Sequence, residues 1–275
     1  MQRTTKKTTL MLGLASLLSI SLVSCSQESH DENLPESQQG CLFLNLKSET
    51  GFSNTTRALN ENSYANTDNY QIVVTDKNNS VKLNCKGSDL NNFTGITLPI
   101  GGFKVQAYYG EEHAYSRDAF YVFGETIGNI EGDDMKEVTV TCSPTCGRIA
   151  VNFAPEMATY YQGYNVTFTG TEAMGTNVIS WLENDTEPWY VKLNEEGEEI
   201  SFTITTTTKS EYVDGEKNST TVKEGTFKLS RNKAYKMNIN PVYTPTTQGK
   251  LDITVTIDES TNDTEHDIEV DVDWI

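Results

Sequence analysis

Apolar residues recur along this chain at every second position, the spacing of half-buried strands, and not at the three-to-four spacing of an amphipathic helix. Residues 148–153 alternate cleanly. So do 251–257, with Leu251, Ile253, Val255 and Ile257 on one face, and 268–274, with Ile268, Val270, Val272 and Trp274 on one face. Shorter strand signals fall at 41–46, 70–75, 81–85, 103–109, 119–123 and 138–142, and again at 164–169, 200–208, 220–229 and 234–239. The segment Asp76-Lys77-Asn78-Asn79-Ser80 has the composition of a hairpin turn, and Gly101-Gly102 permits a sharp entry into the strand after it. Residues 251–257 and 268–274 are expected to pair as a hairpin. Many short strands between turn signals predict an all-β fold of sandwiches. Leu98 to Ala107 and Leu229 to Ile239 share a leucine, a turn and an aromatic residue at similar spacing, which supports two related domains, 40–153 and 154–275.

The N-terminus breaks the alternation. Arg3, Lys6 and Lys7 precede an apolar run over 10–23, a basic start and an apolar stretch too short to span a bilayer. It closes on Leu22-Val23-Ser24-Cys25, which resembles the lipobox of bacterial lipoproteins. The expectation is a signal peptide over 1–24, with Cys25 acylated and holding the protein at the membrane. Each buried methylene contributes about 0.8 kcal/mol, so several acyl chains make a lasting anchor. Residues 25–39 read as a flexible tether, and their acidic residues resemble the surface-export signals of Bacteroidetes lipoproteins. An outward-facing position on the outer membrane follows as an expectation.

Charge narrows the range of partners. The whole chain carries 21 basic and 39 acidic residues. Without the three basic residues of the signal, 18 basic stand against 39 acidic, a net charge of −21. Such a balance argues against nucleic acid or an anionic lipid surface as a partner of the folded part.

Candidate chemistry is sparse. Beyond Cys25 stand Cys41, Cys85, Cys142 and Cys146, an even number that allows two disulfides or a set of buried thiols. A zinc site lacks both neighbouring histidine and the usual spacing, and no cofactor is implied. The three histidines, His30, His113 and His266, lie in polar stretches. No nucleophile elbow, His-Glu-x-x-His or phosphate loop appears, so the chain reads as non-enzymatic. A pocket joining two carboxylates with His113 would restore an enzymatic reading. Acidic clusters at Asp133-Asp134, Glu195 to Glu199 and Asp258 to Asp267 would suit calcium in the sharper reading and read more simply as charged turns. The candidate binding residues are Trp181, Trp189 and Tyr190, which flank the polar stretch 183–188 and would either present stacking faces to a sugar or peptide or pack in the core.

Taken together, the lipobox, the loop Thr55-Thr56-Arg57-Ala58 after a first strand, the turn near Asp76, the run from Leu98 through Gly101-Gly102-Phe103 to Ala107, and the segment 138–153 resemble fimbrillin-type surface lipoproteins of the Bacteroidetes. The N-terminal half also resembles a domain of uncharacterised proteins in that group. The resemblance implies two tandem transthyretin-like β-sandwiches and a place in type V pili as tip, anchor or stalk. In stalk subunits of that family an arginine in this loop is cut, the first strand departs, and a strand from the next subunit fills the groove. Here Arg57 would be that site and 41–46 that strand; the alternative is an uncut loop arginine. The pairing expected for the last strand favours an accessory or tip-type adhesin over a stalk subunit. The partners implied are the membrane through Cys25, other pilus subunits by strand addition, and a surface ligand. A glycan-binding lipoprotein for nutrient capture is the second reading.

Overall fold

The computed structural model describes residues 38–52, 59–212, 219–244, 250–261, 264–269 and 273–274, with side chains up to 243 and over 251–260. The signal, most of the tether, Cys25 and Arg57 lie outside the described residues. The first half comprises β1 (Gln39–Ser48), β2 (Gln71–Asp76), β3 (Val81–Lys86), β4 (Ile96–Pro99), β5 (Gly101–Gly110), β6 (Tyr115–Ser116), β7 (Tyr121–Ile130) and β8 (Met135–Pro144). The second comprises β9 (Cys146–Phe153), a single helical turn α1 (Met157–Tyr160), β10 (Tyr161–Thr169), β11 (Ile179–Leu182), β12 (Trp189–Lys192) and β13 (Glu198–Thr208). It continues through β14 (Thr220–Leu229), β15 (Ala234–Thr244), β16 (Lys250–Thr261), β17 (Thr264–Glu269) and β18 (Asp273–Trp274).

Two β-sandwiches result, and they share one strand order. In the first, β3-β2-β5-β7 form one layer and β8-β1-β4 the other. The layers join at a corner where β7 and β8 pair only through Val122–Pro144 and Phe123–Ser143. In the second, β11-β10-β13-β14 face β15-β9-β12. In each the first strand runs parallel to a late one, β1 to β8 and β9 to β15. The second sandwich adds strands at its edges: β16 and β17 beyond β15, β6 beyond β12, and β18 beyond β14.

Alternation explains the layers. In β2, Ile72, Val74 and Asp76 point inward and Gln71, Val73 and Thr75 only partly so; β13 buries Ile200, Phe202, Ile204, Thr206 and Thr208 by the same rule. Two cores form, one around Leu42, Ile72, Val105 and Val140, the other around Ile149, Phe168, Trp181 and Phe202.

The structure moves the domain boundary and the register of the repeat. Strand 146–153, expected to end the first domain, is the first strand of the second sandwich; Ile149 and Val151 lie in its core, and the division falls at the bend around Thr145. The internal repeat also has a different register. Leu98–Ala107 corresponds to β12–β13, not to 229–239, because β5 and β13 occupy the same place in their sheets. A positive-φ glycine stands at the start of the long strand in both halves, Gly101 (φ 124°) as the first residue of β5 and Gly197 (φ 73°) just before β13. The C-terminal hairpin forms between β16 and β17 with Ile257 opposite Ile268, but residues 273–274 cross to pair with β14.

The turn expected at Asp76 forms between β2 and β3. Asp76 is 6% exposed and accepts from the backbone N–H groups of Asn78 (2.8 Å) and Ser80 (3.0 Å), with Lys82 at 3.5 Å. Burial alone would raise its pKa, but these donors and Lys82 together hold it below the usual carboxylate range. The turn is therefore stabilised fully above the unfolded-state pKa of about 4 and loses that contribution as pH falls through the lower folded value. Asp76→Ala is expected to cost about 1–3 kcal/mol in urea denaturation at pH 7, and clearly less at pH 2.5.

Candidate functional site

The two sandwiches meet through a buried polar contact. Glu61 is fully buried although it sits in the long polar stretch between β1 and β2. Its Oε1 accepts from Tyr190 Oη at 2.6 Å and faces Arg148 Nε at 2.8 Å. Arg148 lies on β9 and Tyr190 on β12, so one carboxylate from the first half holds two strands of the second. Around it, Tyr64 stacks on Phe120 (3.8 Å), and Phe120 packs on Tyr190 (4.9 Å) and Phe52 (5.3 Å). Asn232, before β15, donates to Glu49 O at 2.7 Å and accepts from the Gly51 N–H, adding a second tie. Burial, followed by the Glu61 carboxylate, pushes the Tyr190 hydroxyl far above its ordinary pKa, so it remains a donor.

The aromatic loop is built differently from a sugar platform. Trp181 is fully buried and in the second core, and its Nε1 donates to Glu187 O at 3.0 Å. Tyr190 belongs to the first core. Trp189 is half-buried beneath Arg117, whose guanidinium lies 4.6 Å from its ring centroid and 5.6 Å from that of Trp181. Arg117 reaches this place because β6 pairs with β12, carrying the chain between β5 and β7 onto the second sandwich. There it forks onto Asp185 at 2.7 and 2.5 Å and donates to Ser180 O at 3.2 Å. Stacking and the bidentate ion pair reinforce each other. Arg117 Nε, Glu187 Oε2 and Trp189 Nε1 are buried with no hydrogen-bond partner among the described residues, so stacking and the Asp185 fork carry the cluster. The two tryptophans thus brace loop 183–188 from inside instead of presenting faces to solvent.

Among the described residues, one concavity lies at the end of β12 and another beside this loop. A cleft of about 390 Å³ contains Glu112 and His113 from the first half with Glu172, Lys192, Glu198 and Arg231 from the second. Its carboxylates are all occupied: Glu198 accepts from the N–H groups of Glu172 and Asn194, Glu172 from Asn194 Nδ2, and Glu112 pairs with Lys192 at 2.8 Å. His113 pairs with Glu111 at 3.2 Å on the surface. A larger groove of about 680 Å³ lies on the outer face of β10, β11 and β13, rimmed by residues 182–185. Among the described residues no group of three or more His, Cys, Asp or Glu is arranged to hold a metal ion.

The four downstream cysteines are not joined in disulfides in this structure; three are buried and Cys41 partly so. Geometry separates the strand partners: Cys41 and Cys142 lie at opposite ends of the β1–β8 ladder, opposite Met135 and Ser48. Cys142 instead points its Sγ at Ala107 O, 3.6 Å away. Burial raises the Cys142 thiol to about 12 and pushes Cys146 up as well. In a mature chain carrying Cys25→Ser, iodoacetamide at pH 8 should therefore alkylate Cys41 first, and Cys85, Cys142 and Cys146 only on unfolding, as read by peptide mass spectrometry.

β1 occupies a groove between two strands, parallel to β8 over eight residue pairs and antiparallel to β4 over four, with Leu42 and Leu44 in the core. The residues that sequence reasoning missed are Glu61, Arg117 and Arg148. No local signal marks them, because each is defined by partners far along the chain.

These features define a class: a nearly all-β, two-sandwich protein with a buried polar junction and an outer-face groove. The chain belongs to the family described as a domain of unknown function, DUF4493, which matches residues 38–272. No curated protein matches it in sequence. Among solved structures it is similar to a candidate cell adhesion protein from Bacteroides eggerthii (10% identity, 81% of this chain and 97% of that one, TM-score 0.39). It is also similar to a candidate polysaccharide-binding protein from Bacteroides thetaiotaomicron (12%, 83% and 98%, TM-score 0.41) and to a fimbrial assembly protein from Parabacteroides distasonis (12%, 86% and 98%, TM-score 0.37).

Proposed function

We propose that this protein is a non-enzymatic surface lipoprotein, acting as a fimbrial accessory or tip-type adhesin subunit. The observation that carries the reading is the pair of sandwiches of one strand order, fused by the buried Glu61–Arg148–Tyr190 contact. Such a body suits load-bearing display better than turnover, since the cleft that brings His113 near carboxylates among the described residues has them all engaged. Cys25 would moor it to the outer membrane. The seat of β1 between β8 and β4 offers ladder hydrogen bonds and an apolar strip to a strand from another subunit, should Arg57 be cut.

Surface proteolysis and immunogold labelling of intact cells, with the mature N-terminus read by mass spectrometry, test this reading. Label on the cell surface or on filaments, with either acylated Cys25 or Ala58 at the N-terminus, supports it. Protein confined to the periplasm, or with an unmodified residue downstream of Cys25 as its N-terminus and no label on filaments, overturns it.

A further inference from the structure

We propose that the groove on the outer face of β10, β11 and β13 binds a neutral oligosaccharide. Register builds it: Asn165 stands opposite Leu182 on one side and Thr205 on the other, and Gly163 opposite Thr207. Side chains at alternate positions face the same way, so these groups share the solvent face, and Glu183 and Asn184 close the rim. At about 680 Å³ the groove lies within the roughly 300–1,000 Å³ that encloses a small ligand.

The lining selects the ligand class. It holds amides, hydroxyls and carboxylates with no lysine or arginine, so a sulfated, phosphorylated or sialylated ligand meets only negative charge. Apolar contact is limited to Leu182, 65% exposed, and the edge of Tyr164, too little for a lipid. An extended peptide adding to the free edge of β11 finds Ser180 O already taken by Arg117. What remains is a ligand rich in hydroxyl donors and acceptors with a small apolar face. Asn165, Glu183, Asn184 and Thr205 form no side-chain hydrogen bonds among the described residues and are free to meet it. The rim is preorganised: Asp185 is clamped by Arg117, its N–H donates to Leu182 O at 3.0 Å, and Glu187 N–H donates back to it at 3.2 Å. Gly163 keeps the floor open, since a Cβ there would meet nothing nearer than Glu183 Oε1 at 3.8 Å.

This inference deepens the adhesin reading by naming a ligand class, and rests on it for access to that ligand. Binding in solution and surface labelling are separate measurements, so either can fail alone. The mature chain carrying Cys25→Ser would be screened by saturation-transfer NMR and calorimetry. The probes are maltotriose, xylotriose, mannotriose and N-acetylchitotriose, with 3′-sialyllactose and a heparin oligosaccharide as anionic probes and an eight-residue polyalanine-threonine peptide. At least one neutral trisaccharide should bind, with Kd between about 10 μM and 1 mM. The double variant Glu183→Ala/Asn184→Ala should weaken it about tenfold or more. Gly163→Val, sterically allowed and suited to a strand, should fill the groove and weaken binding similarly with Tm unchanged. The proposal is overturned by no binding to any neutral probe, by preference for the anionic sugars or the peptide, or by binding that both variants leave intact.

Discussion

Replacing Glu61 by alanine is expected to cost about 3–5 kcal/mol of folding stability, because it strips a largely buried arginine of its counter-charge and a buried tyrosine hydroxyl of its acceptor. Arg148 is only 13% exposed and Tyr190 only 2%, so water cannot replace the lost partner without opening the junction. Glu61→Gln should cost less, since its carbonyl still accepts from Tyr190 and only the charge is lost. A double-mutant cycle with Arg148→Met should return a coupling of about 1–3 kcal/mol between the two sites. Denaturation measured by intrinsic fluorescence gives the numbers. Additive single effects would mean that the contact is not shared, and a Glu61→Ala cost below about 1 kcal/mol would mean that the junction relaxes and admits water.

Trp181→Ala should be as damaging, at about 3–5 kcal/mol, through the cavity left in the second core. The ring touches Phe168 edge-on at 5.2 Å, is fully buried, and pins Glu187 through its N–H. Trp181→Phe restores most of the volume but not the hydrogen bond, and its expected cost is about 1–2 kcal/mol. Thermal unfolding separates the two variants. An alanine variant as stable as the parent would show that the tryptophan is a surface element after all.

The strands with clear alternation were legible from sequence, as was the turn at Asp76, because two-residue periodicity and turn chemistry are local. Strands of four residues or fewer were not. Ile179–Leu182 and Trp189–Lys192, on either side of the polar stretch 183–188, gave no strand signal because neither is long enough to show a period. The fate of Trp181 was an open choice between core and surface, and only its seat opposite Val166 decides it. The repeat misled by one element, since identical strand order persists after the residues that mark it have diverged. Glu61 stood beyond any sequence argument: its acidic side chain predicts solvent, and the tyrosine that buries it lies 129 residues away. The loop flagged for its tryptophans did prove to edge a groove, but through Leu182, Glu183 and Asn184.

The parallel pairing of first and late strands also sets a timetable. Asn45 and Glu137, 92 residues apart, hydrogen-bond across β1 and β8. Closing a loop of that size costs about 4 kcal/mol of chain entropy before the ladder repays any of it. Threaded N-terminus first through a pore, the first sandwich could not close until β8 had emerged, and the second repeats the wait from β9 to β15. High contact order of this kind slows folding into the millisecond-to-second range. If the chain is exported in that way, the same topology would keep it extended until its late strands have emerged.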